Sequence, residues 1–298
     1  MKITIDGRAI KPIVTMSLLV LLSACSPRHL IVQGVANEIA SQSQDSEDDL
    51  ILAREASAFY LKLSESLLRE APDNLKLAEA VAAGFTQYAF AFVSFEAEKL
   101  ADKDAKAAAK LRQRAARLYQ RGQRHALAAL ELQIPGFSQA LASPDPAKWP
   151  QLKPEQVGVA YWAAASWGGL IAQSKDDPQT VADLPLAIRL ARLAWEKSPQ
   201  HGDGALASLM GSFEAAAPWG SRQQAVAYFD QAIAISAGKN AGSLVAKAES
   251  IALPAGDRPA FEALLHQALK ASQAQHTLSN QVAQERAQWL LEMADDLF

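Results

Sequence analysis

The chain has 298 residues, half of them apolar and a fifth charged, with a formal net charge of −3 and a single cysteine. Such a composition is that of a globular chain and not of a disordered one, and the charge is too mild to point to any particular partner. One cysteine excludes intrachain disulfides and thiolate metal clusters, and the length suffices for one sizeable core or two modest ones.

The N-terminus reads as an export signal. Lys2, Arg8 and Lys11 make a positive start, residues 13–22 an apolar run too short to cross a bilayer, and Ser23 and Ala24 a cleavage site. Leu21-Leu22-Ser23-Ala24-Cys25 has the pattern of a lipobox, in which Cys25 receives lipid and becomes the mature N-terminus. The alternative is an ordinary secretory signal with a cysteine nearby. Two or more acyl chains anchor a protein stably. Removing residues 1–24 takes away +3 from Lys2, Arg8 and Lys11 and −1 from Asp6, so the mature net charge is −3 − 2 = −5. The expected place is the cell envelope, facing the periplasm and held by lipid alone. Ser26 after the cysteine favours the outer membrane by the enteric sorting rule.

Residues 25–48 read as a tether carrying a short amphipathic piece at 30–39. The carboxylates Asp45, Glu47, Asp48 and Asp49 lack the turn glycine and closing glutamate of a calcium loop. They fit better as acidic residues at the positive N-terminus of a helix starting near Asp49. From 49 to 298 the pattern predicts one all-helical domain. Alanine and leucine recur at steps of three and four, and proline and glycine fall between the periodic segments. The expected helices are 49–70, 75–100, 104–133, 154–174, 178–197, 203–216, 222–236, 241–252, 259–271 and 278–297. Exits at Pro72, Pro135 and Pro199 are 63 and 64 residues apart, and Ala232 and Ala268 are 36 apart, close to a tetratricopeptide period. Stacked helical hairpins of this kind form a compact solenoid or bundle and leave a concave surface.

Three stretches bear on function. Phe85, Tyr88, Phe92 and Phe95 share one helix face, as core or as the lining of an apolar ligand channel. Residues 157–172 are nearly uncharged but too short for a comfortable span. They form either a buried core helix or one whose Tyr161, Trp162 and Trp167 line a pocket. Lys103, Lys106, Lys110, Arg114, Arg117, Arg121 and Arg124 form a basic stripe, with Leu111, Ala115, Leu118 and Gly122 facing inward. Export makes nucleic acid an improbable partner; a solvated face is the simplest account, an acidic protein or anionic head groups the functional one. Catalytic patterns are missing. None of the five histidines belongs to a zinc motif, and no nucleophile elbow, phosphate loop or dinucleotide fingerprint occurs. Asp203 within His201-Gly202-Asp203-Gly204 reads as a helix cap. Neither an enzyme nor a metal or cofactor is expected.

Several short blocks, in order, carry a resemblance: Asp48-Asp49-Leu50 with Leu61-Lys62; Gly84-Phe85-Thr86-Gln87-Tyr88-Ala89-Phe90-Ala91-Phe92; Tyr161-Trp162 with Trp167-Gly168; Ser174-Lys175-Asp176-Asp177-Pro178; Gly202-Asp203-Gly204-Ala205; and Ala283-Gln284-Glu285-Arg286-Ala287-Gln288-Trp289-Leu290-Leu291. From about Leu50 onward the chain resembles the T component of tripartite ATP-independent periplasmic (TRAP) transporters, a family of tetratricopeptide-like lipoproteins. The resemblance implies an all-helical protein, a homotrimer with an apolar pore or cleft in each protomer, and a periplasmic solute-binding protein as partner. It further implies ligands of the organic-acid or apolar-tailed anion class, and no catalytic residues. Phe85, Tyr88, Phe92, Tyr161, Trp162 and Trp167 are the expected ligand contacts, inferred from the aromatic stripes. The competing expectation is a tetratricopeptide-like lipoprotein acting as a structural adaptor in envelope assembly.

Overall fold

Short polar side chains set the starts of the helices. Asp49 accepts from the backbone N–H groups of Ile51 and Leu52, and Asn74 from that of Leu77. Asp104, Ser221, Asn240, Asp257 and Thr277 close the first turns of later helices in the same way, each satisfying donors that a helix leaves open at its N-terminus. The computed structural model describes residues 27–41 and 49–298. The expected signal, the lipobox with Cys25 and the acidic residues Asp45, Glu47 and Asp48 lie outside the described residues.

Among the described residues the protein is all-α, without a strand. Helix α1 (Pro27–Ser41) precedes α2 (Leu50–Glu70) and α3 (Leu75–Ala89). A π-helical turn, Phe90–Ser94, joins α3 to α4 (Phe95–Lys99), so the expected helix at 75–100 is continuous but locally widened. Next come α5 (Ala105–Gln133), the short α6 (Phe137–Ala142) and α7 (Val157–Gln173). The expected helix at 178–197 is two, α8 (Pro178–Val181) and α9 (Leu184–Lys197). Pro185, in the first turn of α9, has no N–H to continue the α8 ladder. Helices α10 (Ala205–Ala216), α11 (Arg222–Ile235) and α12 (Ala241–Lys247) follow, and a second π turn, Ala248–Ala252, extends α12. The chain ends with α13 (Arg258–Ala274), α14 (Leu278–Glu292) and α15 (Ala294–Leu297).

Neighbours in sequence pack as neighbours in space. Helix α5 lies between α3 and α7, α7 also meets α9, α10 pairs with α11, and α12, α13 and α14 pack together. Glycine allows the closest approaches. A Cβ on Gly169 of α7 would lie 2.4 Å from the ring of Tyr119 on α5. The uncharged α7 is therefore a core helix, with Trp167 buried and its indole Nε1 donating to Asp183 at 3.3 Å. Asp203 does not cap α10, as expected from sequence. The cap is Gly204 at φ +89°, preceded by Asp203 at +49° and Gly202 at +63°, and no side chain bonds the first turn. The reason is proximity: a Cβ on Gly204 would stand 2.5 Å from the carbonyl oxygen of Ala232 on α11, so the chain reaches α10 through a left-handed bend.

Most of the buried apolar residues fall into two clusters. The larger runs from α1 through α10 and is built around Phe85, Leu130, Phe137, Leu190 and Met210; the smaller, in α12 to α14, is built around Leu244, Phe261, Leu265 and Leu290.

Candidate functional site

A cavity of about 580 Å³ opens where the two clusters meet, a volume within the usual range for small-molecule sites. It exists because both walls are made of small side chains. On α3 and the π turn after it, Ala80, Ala83, Gly84 and Ala91 recur on one face; opposite them stand Gly242 and Ala246 of α12 and Ala283 of α14. Close-packed interiors leave voids only where side chains are too small to fill them. Larger apolar groups complete the lining: Leu61 of α2, Tyr88 and Phe92 beside the first wall, Val245 and Val282 beside the second. Both π turns supply wall residues, Phe90 to Phe92 from the first and Glu249 and Ser250 from the second. Such turns recur at functional sites, where one extra residue re-aims a side chain.

Arg286 of α14 ties the walls together. Its Nε and Nη2 donate to the two carboxylate oxygens of Glu249 at 2.9 and 2.7 Å, and Nη2 also donates to Glu98 of α4 at 2.7 Å. The guanidinium lies 5.7 Å from the ring centre of Phe90 and 5.3 Å from that of Phe95. Burial alone would lower its pKa, but Glu249 and Glu98 outweigh burial and raise it, so the group stays charged. Its Nη1 is buried without a hydrogen-bond partner. Beside it Lys99 bridges Glu96 at 2.8 Å and Glu285 at 3.2 Å. Tyr60, on the cavity wall, donates its hydroxyl to the backbone carbonyl of Ile39 and so fixes α1 against α2.

This arrangement can enclose an apolar body. Among the described residues the cavity wall holds no histidine or cysteine, and no group of histidine, cysteine and carboxylate side chains is placed to hold a metal. The TRAP transporter T-component family matches residues 46–298. The chain belongs to that family. An uncharacterized protein of Treponema pallidum (strain Nichols) is 27% identical over 262 residues, covering 85% of this chain and 81% of its own length. Membership makes the chain an accessory component of a TRAP transporter, a family not known for catalysis.

Two of the six aromatic residues singled out from sequence reach the cavity of this T component. Tyr88 and Phe92 line it, edge to face with ring centres 5.5 Å apart. Phe85 turns the other way, into the core against α5, where the Arg121 guanidinium lies 4.9 Å from its ring centre. Trp167 is core. Tyr161 and Trp162 form a separate half-buried group with His201, away from the cavity wall. Burial pushes the Tyr161 hydroxyl up to about 12 and pushes His201 down. Aromatic spacing does not point to Arg286, Glu249, Gly84 or Ala283, although two of the blocks that carry the resemblance contain Gly84 and Ala283 with Arg286. In the folded protein those blocks meet across the cavity.

The basic stripe runs along the outer face of α5. Lys103, Lys106, Lys110, Arg114, Arg117 and Arg124 are exposed and form no ion pair with a described carboxylate. Arg121 is the exception. With Lys62 and His125 it surrounds the buried Glu65, Lys62 Nζ at 2.7 Å and His125 Nε2 at 2.9 Å, while Arg121 holds both oxygens. Burial would push the Glu65 carboxyl up, but the hydrogen bonds from Arg121, Lys62 and His125 prevail and bring it down to about 2.

Proposed function

We propose that this T component is a lipid-anchored, periplasm-facing accessory protein that holds a small apolar-tailed ligand in the cavity between its two clusters and docks a solute-binding protein of the same transport system. One observation carries the ligand reading: about 580 Å³ of space walled mainly by alanine, glycine, valine and aromatic side chains. Maintaining such a void forgoes packing contacts throughout its lining, and a structural adaptor gains nothing from that cost. The lipobox pattern around Cys25 supports the anchor, and the family resemblance supports the trimer and the solute-binding partner.

The test is displacement of a fluorescent naphthylamine probe from the mature protein carrying Cys25→Ser. Ala246→Phe places a ring in the cavity and is expected to weaken probe binding at least tenfold with the melting temperature nearly unchanged. Tyr161→Phe, away from the wall, is expected to bind as the wild type does. Full probe affinity in Ala246→Phe would show that the cavity is not the site. A native mass spectrum of an empty monomer that binds none of the offered probes would favour the adaptor.

A further inference from the structure

The cavity accounts for nothing on the outer face of α5. Seven lysine and arginine side chains fall within residues 105–130, and no aspartate or glutamate does. Lys106, Lys110, Arg114, Arg117 and Arg124 are exposed along that face. Helix neighbours at three- and four-residue spacing stand about 5–6 Å apart, inside the roughly 8–10 Å over which salt screens a charge. Lys106 with Lys110, Lys110 with Arg114, and Arg117 with Arg121 are like-charge pairs of this kind, and such pairs destabilise a helix. No acidic residue in the first turn balances Lys106 near the positive end of the helix dipole. A face that served only solubility would mix the two signs. Glu65 takes Arg121, and the Arg114 guanidinium lies 5.9 Å from the ring centre of Tyr88. Among the described residues no carboxylate pairs with the other cations of the face. Their repulsion is therefore relieved by negative charge from outside the chain.

An envelope-associated family meets two such surfaces, an acidic protein and the anionic head groups of a membrane. A protein interface is centred on aromatic and apolar anchors, and lysine is depleted there. The α5 face has no such anchor: among the described residues no large apolar side chain is exposed between residues 91 and 131. A row of point charges about 27 Å long from Lys106 to Arg124 suits a diffuse lipid surface, which attracts each cation without requiring a complementary shape. We propose that α5 lies against the anionic head groups of the membrane that holds the lipid anchor, and so fixes the orientation of the anchored protein. This rests on the envelope location proposed above and not on the cavity. Helix α1 starts two residues after Cys25 and packs on α2 and α3, and both of these helices also meet α5. Helix α3 presents Ala82, Phe85 and Thr86 to Gly122 of α5, and Ala80, Ala83, Gly84 and Gln87 to the cavity. These are opposite faces of one helix. Contact through α5 thus leaves the cavity on the side of α3 away from the lipid.

The experiment sediments the mature protein carrying Cys25→Ser, which has no lipid of its own, with vesicles of phosphatidylcholine alone or mixed with phosphatidylglycerol. At about 0.05 M salt it is expected to partition onto the mixed vesicles roughly tenfold more strongly than onto the neutral ones. At about 0.5 M salt the screening length falls below the spacing of the cations, and that preference should disappear. Combining Lys106→Gln, Lys110→Gln, Arg117→Gln and Arg124→Gln is expected to weaken the partition roughly tenfold. This variant should melt at or above the wild-type temperature, because like charges no longer face each other. A control combining Lys175→Gln, Lys197→Gln, Lys239→Gln and Lys270→Gln, all exposed on other elements, changes the net charge equally and should stay within about threefold of the wild type. Absent or equal partition onto the two vesicle types would overturn the proposal. So would an undiminished partition in the α5 variant, or an equal loss in the control. Retention on immobilised polyglutamate that depends on the α5 cations, without partition onto mixed vesicles, would assign the face to an acidic protein instead. Incorporation of labelled palmitate at Cys25 tests the anchor separately, so failure of the α5 contact leaves the anchor and the cavity standing.

Discussion

At the scale of single residues, Glu65 shows how charge is made tolerable inside a helical core. Its carboxylate is 3% exposed and takes hydrogen bonds from a cation on α2 and from Arg121 and His125 on α5. The folded carboxyl titrates at about 2, below its ordinary value of 4.5. Its contribution to stability is therefore complete above the ordinary value and is lost as pH falls through the interval down to about 2. Replacing Glu65 by alanine is expected to cost about 2–4 kcal/mol at neutral pH, since one partner of a buried pair is removed. The same replacement should flatten the acid limb of stability. Chemical denaturation of both proteins between neutral pH and about pH 3 measures this; an equally steep acid limb in the variant would rule out Glu65 as its source. The ion pairs of Glu65 and Arg286 were not legible in the sequence, although Arg286 stands in a block that carries the resemblance. A carboxylate or guanidinium within a helical pattern looks solvated until the helix meeting it is known. Arg286 is paired with residues 37 and 188 positions away.

At the scale of elements, periodicity and capping residues locate most of the helices, because a helix repeats within its own sequence. Features imposed by a neighbouring element stay hidden. The run Phe90-Ala91-Phe92-Val93-Ser94 has nothing in its composition that requires a π turn, and Asp203 looked like a cap only while the approach of α11 was out of view. The cavity was missed for a related reason. Aromatic side chains stand out in a sequence and fill space, whereas the void is made by alanine and glycine at Ala80, Ala83 and Gly84, a helical small-residue face. The close approach at Gly204 yields a prediction for the α10–α11 pair. Gly204→Ala adds a methyl group 2.5 Å from a backbone oxygen, at φ +89°. It is expected to destabilise by roughly 3 kcal/mol from left-handed strain and overpacking together. Gly136→Ala, at φ +79° with nothing within 4 Å, should lose only about 1–2 kcal/mol from strain. Thermal melts of the two variants separate the contributions; equal losses would mean that contact with α11 contributes nothing.

At the scale of the whole molecule, the sequence indicated enough residues for one core or two, and the fold has two clusters with the cavity at their seam. The spacing of 36 between Ala232 and Ala268 marked real packing positions, both fully buried, yet it gave no sign of where one cluster gives way to the other. That place depends on which small faces are opposed in three dimensions. Among the described residues, Arg286 reaching Glu98 and Lys99 reaching Glu285 are polar ties that cross the seam. The Lys99 tie is partly exposed and screened, of a kind worth little. The Arg286 tie reaches Glu98 by a single Nη2 bond, but from a mostly buried guanidinium that Glu249 holds in place with two more, so it should contribute more to the coupling between the clusters than the Lys99 tie does. Arg286→Met keeps the apolar volume and removes the charge. Because Glu98 and Glu249 both retain some contact with water, the expected loss is about 2 kcal/mol, below the 3–5 kcal/mol of a fully buried pair. Arg286→Lys should restore little, since an ammonium cannot reproduce the fork. The loss should also be local in hydrogen exchange: faster in α12, α13 and α14, with α5 and α7 as protected as in the wild type, because only the smaller cluster loses its tether. Uniformly faster exchange would mean that the two clusters unfold as one unit. Unchanged exchange in α12–α14 would mean that apolar contacts alone hold the seam, and that Arg286 serves the cavity without bracing the fold.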